Sequence, residues 1–281
     1  MRLEIVIDRA FQELKKNNIK SALLDSELLL SKAINKSREF IILNSKYNIK
    51  EKDYLYFQEL INERSKGKPI AYLTGRKFFW KYEFEINNKV LIPRPDTEII
   101  IEQVLNIYKT KNKLNFLDIG VGSGCILLSI LKERKDFKAT GIDINNHALN
   151  ICNINAYKLG VKNRVTLFKS DIDKLSYGKY DLVISNPPYI KKLDLRYLEK
   201  DIISFEPKLA LDGGLDGISE IRKIIKKSSE LIKNGGKLIL EIAFNQKKEV
   251  KRLLKNNGFY INSVIKDLAK NDRCIISTKV K

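Results

Sequence analysis

The sequence predicts an α/β protein: a doubly wound, Rossmann-like sheet of seven strands, mixed because one strand runs antiparallel, with a small helical domain ahead of it. Three observations predict it. Short apolar runs alternate with helical stretches from residue 114 onward, the pattern of parallel strands joined by crossover helices. The last two runs are separated only by about residues 266–272. That is too short for a crossover helix, so one of the two should turn back antiparallel. Residues 1–66, in contrast, place apolar side chains at helical spacing.

Taken in order, Ile7, Ala10, Phe11 and Leu14 form an i, i+3, i+4, i+7 stripe. Leu23 through Ile34 makes a second helical segment, and Tyr54, Phe57, Gln58 and Ile61 mark another. Some 65 residues of small helices are marginal alone, and Gly67-Lys68-Pro69 ends them. Tyr82, Phe84 and Ile86 then alternate with charged residues, Asn87-Asn88 can turn, and Val90 and Ile92 resume, which predicts a β-hairpin. Pro93 and Pro95 stop it, and Asp96 or Thr97 can cap a helix running to about Tyr108. The seven strands are expected at Asn115–Ile119, Ala139–Ile144, Val165–Lys169, Asp181–Ser185, Lys237–Ile242, Tyr260–Ile265 and Arg273–Thr278. Helices are expected near 124–134, 146–159, 218–233 and 246–256. The chain thus divides into a helical domain (1–75) expected to recognise substrate, a hairpin with its connecting helix (76–110), and the sheet domain (111–281).

Composition excludes several function classes. At 281 residues, 43% hydrophobic and 31% charged, the chain fits a soluble globular protein with a sizeable core. No apolar run approaches the ~18 residues of a membrane span. Glu4 and Asp8 interrupt the first hydrophobic segment, unlike a secretion signal, so the cytoplasm is the expected location. Cys125, Cys152 and Cys274 have neither disulfide-framework nor metal-knuckle spacing, and His147 is the only histidine. No metal is expected, and Ser-His-Asp hydrolysis is excluded unless His147 itself serves. The net charge of +19 has two readings. It could mark an RNA, ribosomal or acidic protein partner. It could also be a compositional skew, since 41 lysines accompany only 12 arginines and phosphate readers rely on arginine forks. Nucleic acid is therefore not required, although the basic surface could assist binding.

The chemistry concentrates at strand ends. The first strand runs into Asp118-Ile119-Gly120-Val121-Gly122-Ser123-Gly124, with a helix following. Such glycines allow a tight turn and close approach of a ligand to the backbone. A dinucleotide fingerprint would want its third glycine where Cys125 stands, so the spacing suits a nucleoside ligand without a pyrophosphate, as in S-adenosylmethionine sites. A glycine-rich turn that binds nothing is the plainer alternative. Asp143 ends the second strand, where an acid can accept both ribose hydroxyl protons. Asp171 ends the third, near where an adenine amino group would lie, and is otherwise a solvated loop acid.

The fourth strand ends in Asn186-Pro187-Pro188-Tyr189. Two prolines stop a strand and stiffen the backbone beyond its end. Asn186 offers a side-chain carbonyl and Pro187 a backbone carbonyl, two acceptors that match an NH2 group with two protons. Tyr189 could stack on a flat group. This arrangement suits methyl transfer to a planar nitrogen and needs no strong base. It leaves adenine, cytosine and glutamine all open as acceptors. Glu241, Trp80, Tyr82, His147, Cys125 and Cys152 are read as structural.

Five segments occur in order: Gly67-Lys68-Pro69-Ile70-Ala71-Tyr72-Leu73-Thr74-Gly75, Ile92-Pro93-Arg94-Pro95-Asp96-Thr97-Glu98, the glycine loop, Asn186–Tyr189, and Glu206-Pro207-Lys208-Leu209-Ala210-Leu211. Together they resemble the protein-(glutamine) methyltransferase family called HemK or PrmC, which modifies class-I peptide chain release factors. The resemblance implies a class I methyltransferase sheet with an N-terminal helical domain. It implies S-adenosylmethionine at Gly120, Val121, Gly122, Ser123, Gly124 and Asp143, with further contacts at Asp171, Ile172 and Asn186. It also implies a glutamine substrate, that of the GGQ tip, held by Asn186, Pro187, Pro188 and Tyr189, with Asn186, Pro187 and Tyr189 catalytic. A sister family acting on a ribosomal-protein glutamine shares the tetrapeptide but typically lacks the Arg-Pro-Asp-Thr-Glu run seen at 94–98. An adenine-specific nucleic-acid methyltransferase is the rival from another substrate class, although residues 1–66 look a poor DNA reader. Ile172 and Lys270 depart from the family pattern, where a larger apolar residue and a glycine are common.

Overall fold

The structure is a computed structural model that describes residues 1–175 and 178–280. It separates into two compact units, Met1–Arg76 with Glu199–Phe205, and Lys77–Leu198 with Glu206–Lys281. The smaller unit is helical: α1 (Leu3–Lys16), α2 (Ala22–Ile34), α3 (Arg38–Leu43), α4 (Glu51–Ser65) and α5 (Ile70–Thr74). The buried line of α1 is Leu3, Val6, Ala10 and Leu14. Ile7 and Phe11 only flank it, so the stripe is rotated from the one the sequence suggested. Leu29 and Leu30 of α2 and Phe57, Leu60 and Ile61 of α4 complete this core. Inside it Arg64 Nε donates to Asp25 Oδ2 at 2.8 Å, both side chains nearly closed to water. Gly67 follows at φ +97°, where a Cβ would lie 2.6 Å from Asp201 Oδ1, so this turn requires glycine.

The larger unit opens with a two-stranded ribbon that corrects the expected hairpin. The strands are β1 (Arg76–Phe79) and β2 (Tyr82–Glu85), turning at Trp80-Lys81 with Trp80 at φ +58°. Ile86, Val90 and Ile92 are buried, but none belongs to a strand. Their alternation reflects burial without ladder pairing, and Asn87 accepts the Lys89 amide in a local side-chain turn. The ribbon is pinned by polar contacts: Trp80 Nε1 and Tyr82 Oη both donate to Glu133 Oε1 at 2.9 Å, and the Trp80 amide donates to Glu98 Oε1. A 3₁₀ turn (Pro95–Thr97) then leads into α6 (Glu98–Ile107). Thr97 precedes this helix without capping it, because it is itself in helical conformation as the last residue of the 3₁₀ turn.

The seven-stranded sheet follows the sequence closely: β3 (Asn115–Ile119), β4 (Lys138–Asp143), β5 (Val165–Lys169), β6 (Tyr180–Ser185), β7 (Ile232–Glu241), β8 (Phe259–Lys266) and β9 (Asp272–Lys279). Their order is β5-β4-β3-β6-β7-β9-β8, with β9 antiparallel to both neighbours. Between strands lie α7 (Cys125–Glu133), α8 (Asn146–Lys158), α9 (Lys200–Phe205), α10 (Ser219–Leu231) and α11 (Lys247–Asn256). Leu182, Val183 and Ile184 of β6 and Leu238, Ile239 and Leu240 of β7 are fully buried, as strands covered on both faces must be. The tight β8–β9 link uses Lys270 at φ +65°, a conformation glycine adopts freely. Asp267 holds that link by accepting the Asn271 amide and the Arg273 guanidinium.

The Asp25–Arg64 pair gives a direct test of the helical unit. Removing one member strands the other charge in a low-dielectric interior, typically at about 3–5 kcal/mol. Arg64→Met is therefore expected to lower protection of α2 and α4 amides in native-state hydrogen exchange by about that amount, while the exchange of β3 and β6 stays unchanged.

Candidate functional site

The chain begins its sheet at β3, winds outward to β4 and β5, then returns to the opposite side of β3 at β6. The carboxyl ends of β3 and β6 therefore diverge around a crevice, the usual ligand position in open α/β sheets. A cavity of about 300 Å³ lies there. Ser185 Oγ, fully buried at the end of β6, donates to the Ile119 carbonyl at 2.7 Å and ties the two strand ends together.

The glycine loop forms one wall. Gly120, Gly122 and Gly124 all have positive φ, 75°, 55° and 81°. Their roles differ. A Cβ on Gly120 would point into open space and one on Gly122 would meet nothing nearer than the Gly120 carbonyl oxygen at 4.0 Å, whereas one on Gly124 would meet Cys152 Sγ at 2.6 Å and Leu128 Cδ1 at 2.8 Å. The first two glycines leave bare backbone on the cavity side, and the third lets α7 and α8 pack closely. The Gly120 and Val121 amides donate to the Ile142 carbonyl, which fixes the loop against β4. Asp143 closes the loop: its Oδ2 accepts the Gly122 amide at 3.0 Å and its Oδ1 the Asn145 amide at 2.9 Å. Burial raises the Asp143 carboxyl, and these amides pull it back down.

Asp171 and Ile172 border the cavity beyond β5. Asp171 accepts the Asp173 amide at 3.2 Å, and Ile172 is buried as the wall's apolar surface. Asn186, Pro187 and Pro188 form the opposite wall. Asn186 Nδ2 donates to Thr97 Oγ1 at 3.1 Å. The structure thus brings Gly120, Gly122, Asp143, Asp171, Ile172, Asn186, Pro187 and Pro188 to one cavity. Val121 instead turns into the core, the Ser123 carbonyl accepts from Asn155, and Tyr189 packs behind the wall on the core of the sheet. Tyr189 Oη donates to Glu241 Oε1 at 3.3 Å. His147 is exposed, only its backbone amide capping onto Asn145.

Several supporting residues went unnoticed in the sequence. Gln246 Nε2 donates to the Tyr189 and Gly217 carbonyls, both at 2.9 Å, and so clamps the end of the tetrapeptide. Asn155 bonds both the Glu85 backbone and the Ser123 carbonyl, linking the ribbon to the glycine loop. Ile190 pairs with the 211–213 backbone, and Arg94 forms an ion pair with Glu206. The segments around residues 94, 189 and 208 are thereby interlocked. No local pattern announces Asn155 or Gln246, because each works through partners far away in the sequence.

Two carboxyls behind the site titrate near neutrality. Burial pushes Asp118 up to about 7, with neighbouring Asp143 adding to it. Burial likewise pushes Glu241 up to about 7, against the lowering effects of Thr97, Arg273 and Tyr189.

Two solved structures share the fold. A methyltransferase from Pyrococcus furiosus aligns with a TM-score of 0.53 at 17% identity, covering 70% of this chain and 89% of that one. A ribosomal protein L11 methylase from Lactobacillus delbrueckii subsp. bulgaricus aligns at 0.52 and 16% identity, covering 69% and 83%. Sheet order and strand-end crevice define a class I methyltransferase fold. The methyltransferase small domain family matches residues 96–268, and the PrmC N-terminal domain family matches 6–75. Proteins called release factor glutamine methyltransferase from Clostridium acetobutylicum and Buchnera aphidicola are 36% and 38% identical to this chain, each over 99% of both lengths. The chain belongs to the release factor glutamine methyltransferase family.

The two raised carboxyls set a pH dependence. A folded-state pKa near 7 lies above the unfolded value of about 4. The stability from keeping these groups protonated is complete below about pH 4 and is lost as pH rises through about 7. The melting temperature of the ligand-free protein is expected to fall between pH 5 and pH 8, and Asp118→Asn to make that decline shallower in scanning calorimetry.

Proposed function

We propose that this chain transfers a methyl group from S-adenosylmethionine to the side-chain amide nitrogen of the GGQ glutamine in class-I peptide chain release factors. The single observation that carries the reading is the position of Asn186. It shares a cavity with Gly120, Gly122 and Asp143, and its amide nitrogen is turned away onto Thr97. Bound S-adenosylmethionine would supply an electrophilic methyl carbon on a sulfonium.

The residues present fit that group, because the missing Cβ atoms of Gly120 and Gly122 leave open space beside bare backbone. Asp143 would hold the ribose hydroxyls with its remaining lone pairs. Asp171 and Ile172 would border the adenine. Asn186 Oδ1 and the Pro187 carbonyl would accept the two amide protons of the glutamine, orienting its nitrogen and raising its electron density. Pro188 stiffens the wall. Tyr189 supports it from behind through Glu241 and Gln246, rather than by stacking on the substrate. An amide nitrogen that has gained a methyl is strongly acidic and loses its proton to water, so the exposed His147 is not needed. The helical unit is assigned to recognition of the release factor body, and the cytoplasm to the site of action. Among the described residues no helix is long and apolar enough to cross a membrane, and no cluster of metal ligands occurs.

Mass spectrometry of release factor incubated with this protein and S-adenosylmethionine is expected to find one added methyl on the GGQ glutamine. DNA, rRNA and ribosomal proteins under the same conditions should gain none. Methyl on adenine instead would replace this reading with the nucleic-acid one. Asn186→Ala is expected to reduce kcat/KM by about 10²–10³, the usual cost of losing one preorganised partner of the reacting group. Asp143→Ala is expected to weaken cofactor binding about 10–100-fold by titration calorimetry, in keeping with a charge-assisted hydrogen bond.

A further inference from the structure

A further stretch of the cavity wall has no part in the proposed reaction. Lys89, Val90 and Leu91 line the cavity together with Asp143 and Asn145, yet lie outside every helix and strand. Val90 and neighbouring Ile92 are buried, and the Lys89 and Val90 amides donate locally, to the Asn87 side chain and carbonyl. A longer-range bond reaches the segment from the end of β4. Asn145 Nδ2 donates to the Lys89 carbonyl at 3.0 Å, across 56 positions of sequence. The other end of the same carboxamide caps α8, its Oδ1 accepting the His147 amide at 2.9 Å. The Asn145 backbone amide in turn donates to Asp143 Oδ1 at 2.9 Å.

We propose that Asn145 is a positioning residue for the cofactor, holding residues 87–91 as a preformed wall of the S-adenosylmethionine cavity. This rests on the cofactor reading given above and deepens it. Both partners of the Asn145 side chain are backbone groups of fixed polarity, so only one orientation of the carboxamide satisfies the N–H and the C=O together. A cap alone does not call for asparagine, because aspartate and serine cap about as well. Neither could do both jobs. Aspartate would set an oxygen against the Lys89 carbonyl, and the single oxygen of serine cannot lie at both ends. A segment without helix or ladder bonds opens readily, so this bond decides how much of the time the wall stands ready. Ordering the wall before the ligand arrives removes that cost from binding. The wall serves the cofactor alike in the ground and transition states, so its loss falls on affinity and not on the chemical step.

Asn145→Ser and Asn145→Asp keep the cap and remove the bond to Lys89. Titration with S-adenosylhomocysteine, the product that would occupy the cavity without reacting, is expected to give a Kd about 3–10-fold above wild type in both variants. In release-factor methylation the KM for S-adenosylmethionine should rise by the same factor, with kcat within about twofold of wild type. Hydrogen exchange of the ligand-free protein gives a readout that needs no turnover. The Lys89 and Val90 amides should exchange faster in both variants, and the α8 amides at the wild-type rate. Wild-type Kd and KM in both variants would overturn the proposal. So would faster exchange spread along α8, which would make the residue a helix cap only. A wild-type protein that protects its Lys89 and Val90 amides but binds no S-adenosylhomocysteine would instead count against the cofactor reading alone.

Discussion

One constraint governs the larger unit: β3 and β6 must end side by side while the chain leaves them in different directions. Parallel strands joined by right-handed crossovers can wind outward only one way from the first strand, so returning to its other side opens a gap between the two exits. The buried Ser185–Ile119 hydrogen bond holds the floor of that gap closed. Above it, one exit is a loop of positive-φ glycines and the other a pair of prolines. The two walls differ in kind. The glycine side offers bare backbone, and the proline side offers a stiff edge with fixed carbonyl directions.

Two of the family segments, those of Arg94 and of Glu206, act as supports for the proline wall. The backbone around residues 211–213 pairs with Ile190, the residue directly after the tetrapeptide. Gly213 and Gly217 approach it so closely that a Cβ on either would lie 2.8 Å from the Tyr189 backbone. Arg94 and Glu206 join the segment before α6 to the one that carries this backbone. Gln246 caps the arrangement from the start of α11. Stretches far apart in sequence thus converge on the tetrapeptide and its neighbour.

The sheet was legible because its strands are buried on both faces and read as continuous apolar runs bounded by turns. Bounds for β3 and β5 agree with the sequence reading to the residue. The antiparallel strand was legible from the short connection before β9. The ribbon was misplaced because Ile86, Val90 and Ile92 alternate as a strand would, yet are buried from an irregular segment. Its actual turn uses Trp80 at positive φ, a conformation that nothing local favours in tryptophan and that contacts with Glu98 and Glu133 compensate. At the site, Gly120, Gly122, Asp143 and Asn186 were legible because strand ends and glycine spacing place them. Thr97 was read as a helix cap and Glu241 as structural. The Thr97–Asn186 hydrogen bond exists only once two separated segments have met, and periodicity carries no trace of it.

The smaller unit has a discontinuous membership that bears on how the protein is made. Its helices from the first 76 residues are joined by Glu199–Phe205, which brings Asp201 against Arg64 and beneath Gly67. Those seven residues leave the ribosome more than a hundred positions after the rest of their unit. The first part of the chain to be synthesised therefore gains its last contacts, those of Asp201, only after four of the seven strands have been translated.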